Sequence, residues 1–203
     1  MGLAIGDPDG DGDTDIFITN ITGETHAFYE NLGRGRFEDR RISTGLAALT
    51  RAYTGFGTDW FDYDNDGMLD LFIANGAVTI SEVLRGDPFP FRQRNLLLRN
   101  AGGGRFHDVS RDGGSAFAPA FVGRGAAFGD ADNDGDVDVL VTNNGGPVRL
   151  LLNETGARRH WLHVRLQGVE DNRQGLGGAW ACNARTARQK GQSRTDQRAI
   201  WGG

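Results

Sequence analysis

Short apolar runs recur along the chain, each preceded by a cluster of acidic residues and followed by asparagine or glycine. The clearest examples are residues 16–19, 71–74 and 139–142, which are rich in Ile, Leu, Val and Phe. Apolar runs of this length between turn residues are typical of mostly buried β-strands. The pattern therefore predicts an all-β chain built from short strands.

Each of these strands belongs to a longer repeating unit. A second apolar run follows it, at residues 27–29, 96–98 or 150–152, and ends at an asparagine. In the first two units a glycine turn leads on to a further strand at Phe37 or Phe106, which is the signature of a β-hairpin. Together with the strand before each acidic cluster, this gives about four strands per unit, as in a blade of a β-propeller. The predicted blades cover about residues 1–50, 51–118 and 119–153.

Three blades are too few to close a propeller, which has about four to eight. An unclosed series of blades leaves strand edges and apolar faces exposed. We therefore expect an incomplete propeller, with further blades supplied by a longer parent chain or by another copy. On this view the chain is a fragment.

The acidic clusters share one spacing. Aspartate occupies positions 1, 3, 5 and 9, and glycine position 6, of a loop that begins at Asp7, Asp62 or Asp130. Like charges this close are unfavourable unless a cation neutralises them, and oxygen ligands at variable distances suit calcium better than magnesium. We therefore expect one Ca²⁺ per loop, about three in all, with the main-chain carbonyl of position 7 completing each ligand set. The expected ligands are Asp7, Asp9, Asp11, Asp13 and Asp15; Asp62, Asp64, Asp66, Met68 and Asp70; and Asp130, Asp132, Asp134, Asp136 and Asp138.

An EF-hand shares the acids at positions 1, 3 and 5 and the glycine at position 6, but it requires a glutamate at position 12 and flanking helices. Position 12 is Ile18, Ile73 or Val141 here, inside a predicted strand. Ordinary solvated turns also use Asp and Gly, yet they do not explain three copies in phase with the same following strand. The spacing favours a structural ion that stabilises its loop.

Composition and charge argue against several classes of protein. The formal net charge of -5, with the acids gathered in loops, disfavours nucleic-acid binding, which needs a basic face. Cys182 is the single cysteine, so an intrachain disulfide and a cysteine-based zinc site are both impossible. The sequence shows neither a membrane-spanning apolar run nor, at residues 1–6, the features of a secretory signal.

Catalysis by the acidic clusters is the alternative to calcium binding, because paired carboxylates can serve a glycosidase. Each cluster lies within one loop whose charges a bound ion explains better, and no separate acid stands out. We therefore predict that the chain is not an enzyme. Two further groups of residues are expected to have structural roles. The arginines near the hairpins are predicted to be solvated surface charges: Arg34, Arg36, Arg99 and Arg105. The phenylalanines at strand positions are predicted to pack in the core: Phe17, Phe28, Phe37, Phe56, Phe72, Phe106 and Phe128.

The third repeat, with Phe128-Gly129 before the loop and an apolar strand after it, resembles the FG-GAP and VCBS repeats of integrin-α-type β-propellers. The second and first repeats depart from this pattern in having Trp60-Phe61 and Ile5-Gly6 at that place, which changes no expected ligand. Residues 158–177 are similar to the start of the ASPIC/UnbV domain of cartilage-acidic-protein-like chains. Residues 178–203 lose that pattern, and we expect an irregular tail there.

The resemblance implies a secreted or cell-surface calcium-binding propeller without a catalytic centre. Two functional hypotheses follow from it. The chain is a noncatalytic module for extracellular adhesion or interaction with an unknown protein or glycan ligand, or it is the accessory propeller of a secreted hydrolase or lyase whose catalytic domain lies outside the chain.

Overall fold

Three antiparallel sheets account for most of the computed structural model, which describes residues 1–80 and 86–156 and the backbone of residues 182–183 and 195–196. Two compact units are present, Met1–Arg158 and Arg159–Gly203. In the described part of the second unit, β12 (Cys182–Asn183) pairs with β13 (Thr195–Asp196). The predicted ASPIC/UnbV-like segment lies outside the described residues, as does most of the predicted irregular tail.

The first two sheets each contain four strands that are adjacent in both sequence and space. The first sheet consists of β1 (Leu3–Gly6), β2 (Asp15–Ile18), β3 (Ala27–Asn31) and β4 (Phe37–Asp39). The second consists of β5 (Gly55–Phe61), β6 (Asp70–Asn75), β7 (Leu96–Asn100) and β8 (Phe106–Asp108). A short helix, α1 (Leu46–Thr50), lies between them in the sequence.

The third sheet has three strands among the described residues: β9 (Gly123–Gly129), β10 (Asp138–Asn143) and β11 (Arg149–Leu151). Its register repeats that of the other two sheets, because Leu140 pairs with Leu150 as Phe72 pairs with Leu97. A 3₁₀ turn at Ser115–Phe117 precedes it. The prediction of an all-β chain of three propeller-type blades is therefore confirmed, and no helix in the described ranges is long and apolar enough to cross a bilayer.

Two apolar clusters lie on opposite faces of the second sheet. Leu71 and Leu98 pack with Phe17 of the first sheet, whereas Phe72 and Leu97 pack with residues of the third sheet. All six residues of β6 are consequently buried. Burial of one such side chain contributes about 1.5–3 kcal/mol, so these two clusters hold the three sheets together.

Close contact between the second and third sheets requires a glycine. A Cβ built on Gly57 in β5 would lie 2.2 Å from the main-chain nitrogen of Ala126 in β9. Any larger residue would push these two strands apart.

The assignment of all seven phenylalanines to the core was wrong for Phe37, which is 46% exposed in β4. Phe56 is only half-buried, and the guanidinium carbon of Arg124 lies 4.1 Å from its ring centroid. Phe17, Phe28, Phe72 and Phe106 are buried as expected, and Phe128 packs partly buried against the second cluster.

Candidate metal centres

The three acidic loops occupy equivalent places in the three sheets. We name them loop 1 (residues 7–15), loop 2 (62–70) and loop 3 (130–138). Each begins directly after the first strand of its sheet and ends with the first residue of the next strand. These two flanking positions pair across the ladder, as Phe61 does with Asp70. Each sheet therefore holds both ends of its loop in place.

The backbone of each loop turns through two left-handed residues. The glycine at position 6 and the residue at position 4 both have positive φ, a conformation open to glycine and tolerated by asparagine. The glycine at position 6 stands out in the sequence spacing, whereas position 4 does not. The φ values are +92°, +91° and +92° at Gly12, Gly67 and Gly135, and +75°, +53° and +62° at Gly10, Asn65 and Asn133.

The aspartate at position 1 closes each loop through main-chain hydrogen bonds. In loop 2, Asp62 accepts from the main-chain N–H of Asp66 at 2.9 Å and from that of Gly67 at 2.8 Å. Asp7 and Asp130 accept from the equivalent donors. Because each carboxylate oxygen has two lone pairs, these bonds leave capacity for a cation.

Carboxylate oxygens converge in all three loops. In each loop, ligand atoms from three aspartates lie within 4.8 Å of one another. Oxygens that share a Ca²⁺ at 2.3–2.6 Å must lie about this close together, so the arrangement fits a hard cation. The three sets are Asp7, Asp9 and Asp11; Asp62, Asp64 and Asp66; and Asp130, Asp132 and Asp138. Asp134, Asp15 and Asp70 lie outside these sets.

The aspartate at position 9 is buried in all three loops and links neighbouring strands. Asp70 accepts from the main-chain N–H of Asn100 at 2.8 Å through Oδ1 and from that of Tyr63 at 3.0 Å through Oδ2. Asp138 repeats both bonds, with the N–H groups of Asn153 and Ala131. Position 9 therefore has a structural role that the sequence analysis did not anticipate, in addition to its predicted role as a ligand.

Loop 1 lacks one of these two bonds. Asp15 Oδ1 accepts from the main-chain N–H of Asn31 at 2.7 Å, but Oδ2 has no hydrogen-bond partner among the described residues. The donor in loops 2 and 3 is the N–H of position 2, and in loop 1 that residue is Pro8, which has no N–H. Asp15 is only 1% exposed, so bulk solvent does not reach this oxygen. A bound cation would satisfy this oxygen.

The pKa values of three of these carboxyls show that their charge is poorly compensated by the protein. Burial raises the pKa of Asp15 to about 7 and that of Asp70 to about 8. Burial also raises the pKa of Asp9 to about 6, and the neighbouring charges of Asp11 and Asp7 contribute to the rise. A divalent cation at the centre of a loop would favour the ionised form of each group.

Loop 2 receives a basic side chain. The Nη2 atom of Arg99 in β7 lies 2.9 Å from Asp66 Oδ2 and 3.1 Å from Asp64 Oδ2. The prediction that Arg99 is a solvated surface charge is therefore wrong. The aligned residues of the other repeats are Glu30, which pairs with Arg40 at 2.7 Å, and Leu152.

Asparagine side chains join loops 1 and 2 to the following sheet. Asn100 Nδ2 donates to the main-chain carbonyl of Pro8 in loop 1 at 2.7 Å, and Asn153 Nδ2 donates to that of Tyr63 in loop 2 at 2.7 Å. These asparagines end the second apolar run of the second and third repeats, a place where the pattern predicts only a turn residue. They tie the positions of loops 1 and 2 to the packing of the next sheet.

Position 7 differs among the loops in the environment of its side chain. Asp136 is 1% exposed and accepts from Asn65 Nδ2 at 2.6 Å, whereas Asp13 is exposed. The main-chain N–H of position 7 donates to the position-5 carboxylate in every loop, at 2.8–3.0 Å. That the carbonyls of Asp13, Met68 and Asp136 bind the ion stays a prediction.

The sequence matches known proteins in the region of these loops. A model of the FG-GAP-like repeat family matches residues 7–73. Cartilage acidic protein 1 of Xenopus tropicalis is 25% identical over 210 residues, covering 80% of this chain and 32% of that protein. Cartilage acidic protein 1 of Homo sapiens is 26% identical over 166 residues, covering 80% of this chain and 23% of that protein. The chain thus spans a third or less of these relatives. Residues 7–73 thus match the FG-GAP-like repeat, and the chain as a whole is similar to cartilage acidic protein 1.

Proposed function

We propose that the chain is a calcium-binding, noncatalytic repeat module of an extracellular protein, in which each acidic loop binds one structural Ca²⁺. The observation that carries this proposal is Asp15 Oδ2, a buried carboxylate oxygen without a protein donor beside a cluster of three further aspartates. Such an atom destabilises a fold by about 1–3 kcal/mol unless a ligand satisfies it.

The donor set of each loop suits calcium. Carboxylate and carbonyl oxygens are hard ligands, and the loops offer no nitrogen or sulfur side chain among positions 1, 3, 5 and 9. The proposed ligands are the residues at positions 1, 3, 5, 7 and 9 of each loop. When bound, the ion supplies positive charge that cancels the repulsion between these aspartates.

The position of the loops makes this role structural. Each loop joins the first two strands of its sheet, and its position-9 aspartate is also hydrogen-bonded to the third strand or, in the third sheet, to Asn153 just beyond it. An ion that fixes the loop therefore fixes the relative placement of three strands. Its binding free energy becomes folding free energy, because the unfolded chain has no preformed site.

The similarity to cartilage acidic protein 1 supports an extracellular location, where millimolar calcium saturates even weak sites. We propose that the chain contributes to adhesion or interaction with a protein or glycan there. We further propose blades at about residues 1–50, 51–118 and 119–153, and an ASPIC/UnbV-like segment that starts within residues 158–177.

Thermal unfolding of the whole chain in calcium and in EDTA tests the calcium site. We expect millimolar Ca²⁺ to raise the Tm by about 5 °C or more. The variant Asp9→Asn should lose part of this rise, since Asp9 lies in the loop 1 cluster. Asp112→Asn removes an exposed carboxylate elsewhere and should keep it in full. An identical Tm in calcium and EDTA, with no heat of binding in a calcium titration, would refute the proposal.

A further inference from the structure

The three loops have the same aspartate spacing but differ in the groups that balance their charge. Arg99 reaches loop 2 from β7, a strand about thirty residues further along the chain, and contacts two of its carboxylates. The same register position, directly before the asparagine that ends the second run, holds Glu30 in the first repeat and Leu152 in the third. Neither of these can supply a positive charge.

The contact is partly shielded from solvent. The side chains of Asp64 and Asp66 are 12% and 9% exposed, and that of Arg99 is 39% exposed. Attraction between opposite charges at about 3 Å is therefore stronger than for a fully solvated pair. Arg99 contacts only the Oδ2 atoms of these two aspartates. The other carboxylate oxygen of Asp64, Oδ1, is buried without a hydrogen-bond partner among the described residues. Arg99 thus neutralises one edge of the cluster and leaves another edge available to a cation.

Loop 1 presents the opposite case. Its position-9 carboxylate has an oxygen without a protein donor because Pro8 replaces an N–H group. No ion pair to an arginine or lysine reaches Asp7, Asp9 or Asp11 in the described part of the chain. Neutralisation of the aspartate charges therefore depends more on a bound cation in loop 1 than in loop 2.

We propose that Arg99 is a built-in counter-cation that makes loop 2 a weaker calcium site than loop 1 and makes its fold depend less on calcium. This inference rests on the proposed function, because it ranks the affinities of the sites assigned there. A guanidinium fixed beside two ligand carboxylates repels a divalent ion and stabilises the loop without it. Calcium thus stabilises the first repeat more than the second.

Tyr63 allows loop 2 to be followed separately. It is the only tyrosine or tryptophan within the three loops, so terbium luminescence sensitised by Tyr63 is strongest for Tb³⁺ bound in loop 2. The part of the terbium luminescence that is lost in Tyr63→Phe is the signal sensitised by Tyr63. Displacement of the bound Tb³⁺ by CaCl₂ then gives the calcium affinity. The whole chain is titrated as the wild type, Arg99→Leu, Arg99→Lys and Arg105→Leu. Arg105 is an exposed arginine of the same hairpin and serves as the matched control.

Arg99→Leu places the residue of the third repeat in the second and should tighten loop 2 by about tenfold, since a nearby unit charge is removed. Arg99→Lys and Arg105→Leu should stay within about twofold of the wild type, because the first keeps the charge and the second acts on none of these carboxylates. An affinity that is unchanged or weaker in Arg99→Leu overturns the proposal.

Leu152→Arg makes the reverse exchange at a position that is 53% exposed and tolerates a longer side chain. Calorimetric calcium titration should then show one site weakened by about tenfold, as electrostatic repulsion requires. Unaltered binding in this variant would also count against the proposal, even if Arg99→Leu failed to fold. If no loop of the wild type binds Tb³⁺ or Ca²⁺, the proposed function fails, which is a different result from binding that ignores Arg99.

Discussion

The second and third sheets are built from the same repeat, but only the second is buried on both faces. Phe72 in β6 and Leu140 in β10 occupy the same place after their acidic loops, and they are 0% and 40% exposed. Leu150 on the paired strand is 50% exposed, whereas its counterpart Leu97 is 4% exposed. The apolar pattern thus specifies strands with two apolar faces, and packing against a neighbouring sheet decides whether both faces are buried.

The largest expected effect comes from shortening the buried member of this pair. Phe72→Ala should lower the free energy of unfolding by about 3–5 kcal/mol, because it removes a ring from a filled core and leaves a cavity. Leu140→Ala should lower it by about 1 kcal/mol, since much of that side chain is already in water. Urea denaturation in calcium measures both. Equal losses in the two variants would show that the outer face of the third sheet is as well packed as that of the second.

The strands and the loop ligands could be predicted because their signals are local. Turn residues bound the apolar runs, and the acids of a loop lie within nine positions of sequence. Arg99 could not be assigned in this way, because its partner Asp66 is 33 residues away, and the same holds for Asn100 and Pro8, which are 92 residues apart. Phe37 shows the converse, because an apolar residue at a strand position is exposed when no sheet covers that face.

A second contrast, between a buried and an exposed histidine, predicts the response to acid. Burial lowers the pKa of His26 from 6.5 to about 4, so the unfolded chain binds more protons than the folded chain between these two pH values. The corresponding stability is therefore fully present above pH 6.5 and is lost as the pH falls towards 4. The loss should be about 3 kcal/mol.

Urea unfolding from pH 7.5 to 4 in saturating calcium measures this loss, with the loop carboxylates held ionised. His26→Asn keeps an acceptor for the main-chain N–H of Asn20, which now bonds to His26 Nδ1, but does not titrate. In this variant the free energy of unfolding should fall less as the pH is lowered from 6.5 to 4. His107→Asn changes an exposed histidine of β8 and should leave the loss of stability in acid unchanged. If His26→Asn lost as much stability in acid as the wild type, other groups would be responsible for the acid sensitivity.

The smallest expected effect concerns the difference between loop 1 and loop 3. Pro8→Ala gives loop 1 the residue of loop 3, whose Ala131 N–H donates to Asp138 Oδ2 at 2.8 Å. The restored N–H should stabilise Asp15 Oδ2 by about 1 kcal/mol, while the greater freedom of the unfolded chain offsets about 0.4–1 kcal/mol. The gain should therefore be small in EDTA and absent in calcium, because the ion already satisfies that oxygen. Ala131→Pro is the reciprocal variant, and it should destabilise loop 3 more in EDTA than in calcium. If Pro8→Ala stabilised the chain equally in both conditions, Asp15 would not be a calcium ligand, and loop 1 would need another explanation for its buried carboxylate.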